Sequence, residues 1–372
     1  MILLFKKPMN FFDIAFYIFT TSFIIQLFFQ LFFQLRVSFH KNQVLNQSFG
    51  ISLIICSRNE EKNLRKFIPK ILNQQYENFE VIVVVDRSWD NSIDYLNTLK
   101  KTNKNLKIVN IPDNGTDHFG KKLAITLGVK AAKNEHLIFT DADCFPLNEL
   151  WLKEMSSGFV NKKEIVLGAS NYNKEKGILN KLIRFDTAQI AVSYLGFAKC
   201  SIPYMGIGRN LGYKKNVYTK VSGFKSHYHI ESGDDDLFIN QVSNSSNTEI
   251  IFNANSITMS IPKKTWGTWI RQKKRHHTTN SKYKIHHKFL LIISYLSALM
   301  YNLSVFLLIF NDKYQVIVFI LFMIRTILLT LIYYKPFKIL LCKDLLWAIP
   351  IYEIILLFCQ PMFQLSLNNN KK

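Results

Sequence analysis

Two aspartates that stand one residue apart, Asp141 and Asp143, are the side chains whose type and spacing point most directly to chemistry. They follow an apolar run at residues 136–140 that is typical of a buried strand, and residues i and i+2 of extended backbone point to the same side. Paired carboxylates there suit a hard divalent cation that also holds phosphate oxygens. The alternative is a helix cap, a common role for aspartate. We predict a Mg²⁺ or Mn²⁺ site on Asp143 and Asp141.

A second acidic cluster, Gly233-Asp234-Asp235-Asp236, places three carboxylates side by side. Adjacent carboxylates repel one another, and repulsion with partial burial raises the pKa of one of them, which suits a general base. An acidic surface turn is the alternative. We predict that Asp235 and Asp236 are the catalytic residues.

Polar residues also follow other predicted strands. Asp86 ends the apolar run at residues 80–85, and a ribose, an imide N–H or a helix N-terminus would each be a suitable partner for it. Lys121 begins a predicted helix, where it either reaches a diphosphate as a point charge or is solvated. The glycine-rich stretch at residues 206–211 either lines an acceptor site or forms a packed turn.

The elements that must position these residues alternate along the chain. Short apolar runs at residues 51–56, 80–85, 107–111 and 136–140 are separated by segments with helical spacing. This β-α-β rhythm predicts an α/β domain with a mostly parallel sheet covered on both faces. Ligands of such sheets bind beyond the carboxyl ends of the strands. The sequence has neither G-x-G-x-x-G nor G-x-x-x-x-G-K-[ST], which disfavours a dinucleotide-binding fold and a P-loop.

The composition places this domain between membrane segments. The 372 residues are 48% hydrophobic and carry a net charge of +21, with the apolar residues concentrated at the two ends. Residues 11–35 and three helices within residues 289–366 are long and apolar enough to span a bilayer. That excludes a uniform soluble domain and a disordered chain. Five scattered cysteines without a Cys-x-x-Cys pair exclude a disulfide framework and fit a reducing compartment.

Charge near the spans predicts the topology. The turn around Lys338 is basic, and the positive-inside rule places it in the cytoplasm. We therefore expect a multi-pass protein of the cell membrane with residues 36–288 on the cytoplasmic side. Residues 263–288 combine indoles with basic side chains directly before a span, which predicts an interfacial helix against anionic headgroups and not a nucleic-acid site.

Two charges fall near the middle of the predicted spans. Arg325 and Glu353 lie at nearly equal depth in a helical hairpin, and an unpaired charge at mid-bilayer costs at least about 2.5–3.5 kcal/mol. We predict that they form an ion pair. The alternatives place Arg325 against Asp13, against the glutamine stripe Gln26, Gln30 and Gln34 of the first span, or on a lipid phosphate.

The motifs together resemble family 2 of the inverting glycosyltransferases, whose catalytic domain has the Rossmann-like GT-A fold. The segments that carry the resemblance are Ile51–Glu61, Glu80–Ser92, Gly120–Lys122, Phe139–Pro146 and Gly233–Phe238. Gln272-x-x-Arg275-His276 is similar to the Q-x-x-R-W motif of membrane-integrated members such as ceramide glucosyltransferase and the polysaccharide synthases. The resemblance covers roughly residues 50–285 and implies a GT-A domain at residues 50–262.

This resemblance implies roles for individual residues. Glu60 and Asp86 would contact the nucleoside of the donor, and Asp141 would lie near its diphosphate. Gln272 and Arg275 would lie by the diphosphate and the acceptor. Asp143 would hold the metal, and Asp235 would be the base, because Gly233-Asp234-Asp235 matches the Gly-Asp-Asp form of the family's acidic pair.

The activity implied is the inverting transfer of a sugar from a nucleotide sugar, a UDP-sugar in preference to a GDP-sugar, to a hydroxyl of a lipid or lipid-linked acceptor. Two departures from the family pattern matter. His276 replaces the tryptophan of the last motif, which argues against processive synthesis, and Arg87 stands where many relatives have a second aspartate. The alternatives are a processive polysaccharide synthase and a non-catalytic scaffold that binds nucleotide sugars.

Overall fold

The parallel half of the central sheet consists of the four strands predicted from the apolar runs. A computed structural model describes residues 9–42, 47–113 and 120–365. The four strands are β1 (Ile51–Ser57), β2 (Phe79–Asp86), β3 (Leu106–Ile111) and β4 (His136–Asp141). β1 pairs in parallel with both β2 and β4, and β2 pairs in parallel with β3. The predicted mostly parallel α/β sheet is therefore confirmed for this half.

Six shorter strands complete the sheet structure and were not predicted. They are β5 (Cys144–Pro146), β6 (Ile165–Leu167), β7 (Ser170–Tyr172), β8 (Leu211–Lys214), β9 (Thr248–Ile250) and β10 (Thr258–Ser260). The seven-stranded sheet has the order β3-β2-β1-β4-β8-β6-β9, with β8 antiparallel to both of its neighbours. A small second sheet has the order β5-β10-β7 and lies beyond the end of β4.

Helices cover both faces of the central sheet and continue into the membrane segments. They are α1 (Phe11–Phe28), α2 (Leu35–Ser38), α3 (Glu61–Leu72), α4 (Ser92–Lys100), α5 (Lys122–Ala131), α6 (Trp151–Ser156), α7 (Ile178–Lys199), α8 (Lys215–Lys220), α9 (Asp236–Val242), α10 (Trp266–His277), α11 (Ile285–Leu308), α12 (Gln315–Ile339) and α13 (Ile349–Leu365). Successive side chains of a strand point to opposite faces. Accordingly, Ile55 of β1 belongs to the apolar cluster of Leu64 in α3, whereas Ile54 belongs to that of Ile125 in α5.

Four helical stretches among the described residues are long and apolar enough to cross a membrane. They are Phe11–Ser38, Ile285–Leu308, Gln315–Ile339 and Lys343–Phe363, and they match the four predicted spans. The first stretch joins α1 to α2 through a π-helical segment, Phe29–Gln34. Residue 366, the predicted end of the last span, lies outside the described part of the chain.

The spans pack on the α/β domain through the 22-residue helix α7. The rings of Phe33 and Phe197 stack with their centroids 4.2 Å apart. At Gly196, a Cβ atom would lie 2.7 Å from the carbonyl oxygen of Phe33, so only glycine allows this approach. Nearer the start of α7, the buried Arg184 donates to both carboxylate oxygens of Asp344, at 3.0 and 2.7 Å. These contacts fix the sheet relative to the spans.

The predicted ion pair inside the bundle is present. Arg325 donates to both carboxylate oxygens of Glu353, at 2.9 and 3.3 Å, and both side chains are buried. The same guanidinium also donates to Gln26 at 3.0 Å, so one contact proposed as an alternative is made as well. Asp13 instead accepts from Lys313 at 2.6 Å at the end of the bundle.

Candidate active site

Carboxylates gather where β1, β2 and β4 end. Asp141 is the last residue of β4, and Asp143 stands in the two-residue turn before β5. The possible ligand atoms of Asp141, Asp143 and Cys144 all lie within 4.8 Å of one another. The i, i+2 spacing recognised in the sequence therefore brings the two aspartates together, and the turn adds a cysteine that was not predicted.

The two aspartates lie in different electrostatic surroundings. Burial would raise the pKa of Asp141, but the ammonium of Lys121, with which it forms an ion pair, outweighs burial and holds the pKa below its usual value. Burial and the neighbouring Asp141 raise the pKa of Asp143. Lys121, at the N-terminus of α5, is thus a cation in direct contact with this carboxylate cluster.

The donor set fits a hard divalent cation. Mg²⁺ and Mn²⁺ prefer oxygen ligands, and Mg²⁺ is commonly held by one or two carboxylates together with phosphate oxygens. Cys144 does not change this assignment, because burial raises the pKa of its thiol well above the usual value and a neutral thiol is a poor ligand. Its sulfur lies 2.8 Å from Ser260 Oγ. Asp143 and Asp141 are the residues that would hold the ion.

The acidic cluster of residues 234–236 lies next to Lys121. A pocket among the described residues is lined by polar and apolar side chains from β1, α5, β4, β8 and the loops before β8 and α9: Ile54, Cys56, Lys121, Ile125, Phe139, Thr140, Gly208, Leu211, Tyr213, Asp234 and Asp235. Asp235 accepts from the backbone N–H groups of Gly208 and Asp236, both at 2.7 Å. Burial, followed by charge repulsion within the cluster, raises the pKa of Asp234 and of Asp235 to about 6.

Asp236, which was predicted as catalytic together with Asp235, points elsewhere. Its Oδ2 accepts from the hydroxyl groups of Thr279 and Tyr283, the latter at 2.7 Å, and its Oδ1 accepts from the N–H of Leu237 at 2.7 Å. It is buried and is not among the residues that line the pocket. The hydrogen bonds of Asp236 therefore join the start of α9 to the segment after α10. Asp234, which was not predicted as a site residue, lies in the pocket instead.

A buried lysine supports the loop that carries the acidic cluster. Lys122 Nζ donates to the carbonyl oxygens of His227 and Ile230, at 2.5 and 2.6 Å. The ring of His227 lies 3.0 Å from the carbonyl oxygen of Gly233, whose φ of +94° is rare for residues with a side chain. Lys122 therefore holds this loop against α5, whereas its neighbour Lys121 faces the pocket.

The residues predicted to contact the nucleoside already have protein partners. Both oxygens of Asp86 accept from Arg87, at 2.7 and 3.0 Å. Arg87, which stands where many relatives have a second aspartate, therefore already forms an ion pair with this carboxylate. Glu60 accepts from Asn63 at 2.5 Å, and burial raises its pKa. Both residues lie at the carboxyl ends of β1 and β2, as the sequence predicts.

The interfacial region contains α10, which begins at the cap residue Thr265. Gln272 donates to the hydroxyl of Tyr172 at 3.2 Å. The charge of Arg275, which is exposed, helps to lower the pKa of Asp141, although less than Lys121 does. Lys273 forms an ion pair with Asp186 of α7. Helix α10 therefore brings both motif residues toward the carboxylate cluster and ties the spans to the domain.

Comparison with known proteins shows what part of the chain is similar to. Residues 52–221 match the family model described as Glycosyl transferase family 2. An uncharacterised glycosyltransferase of Haemophilus influenzae is 31% identical over 122 residues, which are 33% of this chain and 46% of that protein. A poly-beta-1,6-N-acetyl-D-glucosamine synthase of Staphylococcus aureus is 27% identical over 119 residues, 32% of this chain and 28% of that protein. The chain thus spans less than half the length of these two relatives.

A solved structure shares the fold over nearly the whole chain. The mannosyltransferase PcManGT from Pyrobaculum calidifontis, in complex with GDP-Man and Mn²⁺, has a TM-score of 0.59 and 16% sequence identity. The similarity covers 92% of this chain and 98% of that one. Residues 52–221 are therefore similar to the glycosyl transferase family 2 model, and the chain has the Rossmann-like GT-A fold.

Proposed function

We propose that this protein transfers a sugar, with inversion, from a nucleotide sugar to a hydroxyl of a lipid or lipid-linked acceptor at the cytoplasmic face of the cell membrane. The observation that carries the proposal is the meeting of two distant acidic segments at one sheet edge. Asp141 and Asp143 come from the end of β4, Asp234 and Asp235 come from the loop before α9, and Lys121 contacts or faces both pairs.

In the proposed reaction, Asp235 accepts the proton of the acceptor hydroxyl. That oxygen attacks the anomeric carbon on the face opposite the diphosphate, so the bond to the sugar forms as the bond to the leaving group breaks. The backbone N–H groups of Gly208 and Asp236 hold the Asp235 carboxylate in position. Its raised pKa of about 6 makes it a stronger base than an ordinary aspartate.

The leaving nucleoside diphosphate needs positive charge. Asp143 and Asp141 would hold a Mg²⁺ or Mn²⁺ ion, which would supply positive charge to the phosphate oxygens of the leaving group. Lys121 and Arg275 add fixed positive charge at the same edge, and Gln272 approaches it from α10. Glu60 and Asp86, at the carboxyl ends of β1 and β2, would contact the nucleoside. We propose a UDP-sugar in preference to a GDP-sugar.

The position of the site relative to the spans supports a lipid acceptor. Helix α10 carries basic side chains, and its buried Trp269 packs against Phe363 of the last span, with ring centroids 5.5 Å apart. An active site beside such a helix is open to molecules anchored in the bilayer. The second candidate function, a processive polysaccharide synthase, is favoured by the named activity of the S. aureus relative, whereas His276 at the position of the motif tryptophan argues against it.

A donor screen in membranes tests the proposal. Membranes containing the protein are incubated with individual UDP- and GDP-sugars and Mn²⁺, and the released nucleoside diphosphate and the lipid-extractable sugar are both measured. We expect one donor to give both products in equal amounts, and the Asp143→Asn variant to give neither. Sugar that appears only in long polymer would favour the synthase, and release by neither the protein nor its variant from any donor would contradict the transferase.

A further inference from the structure

An arginine with no assigned role lies beside the metal-binding carboxylates. Arg209 stands in the loop before β8, and its backbone carbonyl accepts from the hydroxyl groups of Thr140 and Thr258, at 3.0 and 3.1 Å. These threonines belong to β4 of the large sheet and β10 of the small one. The backbone of Arg209 is therefore fixed at the junction of the two sheets.

The side chain of Arg209 is held by neutral partners. Its guanidinium lies over the ring of Tyr172, 4.6 Å from the centroid, and NH1 donates to Ser260 Oγ at 3.2 Å. In the part of the chain that the structure describes, it forms no ion pair with a carboxylate. A guanidinium has five N–H donors, so this half-buried cation keeps donors and charge that its protein neighbours do not use.

The contacts of Arg209 lead to the metal-binding carboxylates on one side and to the α10 motif on the other. Ser260 contacts the sulfur of Cys144, which in turn lies 3.2 Å from Asp143 Oδ1. Tyr172, beneath the guanidinium, accepts from Gln272. Burial would lower the pKa of Arg209, but the charges around it, which include Asp141 and Asp143, outweigh burial and keep the side chain cationic. Arg209 thus lies in a series of polar contacts that runs from Asp143 to Gln272.

We propose that Arg209 binds the diphosphate of the nucleotide-sugar donor and stabilises it as the leaving group. This inference rests on the proposed function. It places Arg209 on the donor side of the site, although the sequence predicts that the stretch 206–211 either lines an acceptor site or forms a packed turn. A planar guanidinium matches phosphate oxygens in a bidentate arrangement, which a lysine cannot reproduce. The donor is the phosphate source because the neighbouring Asp143 and Asp141 would hold the metal that accompanies a diphosphate.

Calorimetry on the purified full-length protein with Mn²⁺ tests this assignment. The ligands are UDP and GDP, with uridine and guanosine measured by competition. The variants are Arg209→Gln, Arg209→Lys and the control Arg271→Gln, which removes an exposed charge of α10. We expect Arg209→Gln to raise the Kd of the nucleoside diphosphate about 10- to 100-fold, the effect of losing a charged hydrogen bond, and to leave the Kd of the nucleoside unchanged. Arg209→Lys should fall between, and Arg271→Gln should match the parent.

Three outcomes would overturn the assignment. An unchanged Kd for the diphosphate would remove Arg209 from donor binding, even if transfer to the acceptor falls. An equal loss for the diphosphate and the nucleoside would mean that Arg209 supports the packing of the loop. If the parent protein binds neither UDP nor GDP, the proposed function fails, and the assignment of Arg209 to donor binding fails with it.

Discussion

Asp235 and Asp236 are consecutive in the chain, but their carboxylates lie in different surroundings. Asp235 lines the pocket and accepts from two backbone N–H groups, whereas Asp236 is buried against the hydroxyl groups of Thr279 and Tyr283. Of these two, Asp235 is the one that lines the pocket. We therefore propose a chemical role for Asp235 and a structural role for Asp236.

Substitution of each aspartate by asparagine tests this division. Asp235→Asn should lower transfer by roughly 10²–10⁴, the range for loss of a general base, while donor affinity is kept. Asp236→Asn should instead lower stability by about 1–3 kcal/mol, because it weakens charged hydrogen bonds in the interior, and should leave the rate of folded protein within a few-fold. Asp234→Asn, at the other aspartate that lines the pocket, is measured in the same way. A folded but inactive Asp236→Asn protein beside an active Asp235→Asn protein would show that the assigned base is wrong.

The pH dependence of transfer should show an acidic limb near pH 6. The pKa of Asp235 is raised to about 6 by burial and by Asp236 and is lowered in part by Lys121, so the base is protonated below this pH and active above it. The rate at saturating donor should therefore rise with pH and level off above about 6. Lys121→Gln removes a nearby cation and should move the limb to higher pH. Lys225→Gln, an exposed change, is the control, and a limb that stays in place in Lys121→Gln would contradict the assignment.

Removal of the metal should abolish activity reversibly. EDTA should stop both donor hydrolysis and transfer, and added Mn²⁺ or Mg²⁺ should restore them. Asp143→Asn should lose activity and also Mn²⁺ binding, measured by calorimetry in the presence of UDP, because a carboxylate ligand is lost. Asp94→Asn removes an exposed carboxylate of α4 and should behave like the parent. Full activity in EDTA would end the metal role.

The pair of Arg325 and Glu353 predicts a rescue. Arg325→Glu and Glu353→Arg each leave like charges together inside the bundle, where an unpaired charge costs at least about 2.5–3.5 kcal/mol. Each single variant should lower the amount of protein in the membrane, and the double variant should restore much of it. Gln26, the second partner of Arg325, limits how complete the rescue can be. A double variant no better than the worse single one would mean that the pair contributes nothing.

The sequence predicts the parts of this protein that depend on local pattern. β1 to β4 were predictable because each has six to eight residues, enough to show an apolar pattern, and the spans were predictable from length and composition. β5 to β10 were not predictable, because most of them have only three residues, too few to show the alternation of apolar and polar residues that indicates a strand. The pairing of Arg325 with Glu353 followed from equal depth in a hairpin, and the structure adds Gln26 from a distant segment.

Site residues were predictable where the motif is local and not where the partner is distant. The approach of Asp141 to Asp143 is set by their spacing along one strand end. The burial of Asp236 depends on Thr279 and Tyr283, more than forty residues away, so nothing in the acidic motif distinguishes it from Asp235. Arg209 lacks a signal of the same kind, because its neighbours Tyr172 and Ser260 lie on two short strands of the small sheet.

The anomeric configuration of the transferred sugar tests the single-displacement account most directly. With the donor identified in the membrane screen, the product of the parent protein can be released from the lipid intact and its anomeric proton coupling measured by NMR. Attack by an acceptor oxygen activated at Asp235, opposite the diphosphate, predicts a product whose anomeric configuration is inverted relative to the donor. A product that retains the donor's configuration would contradict the mechanism built on Asp235.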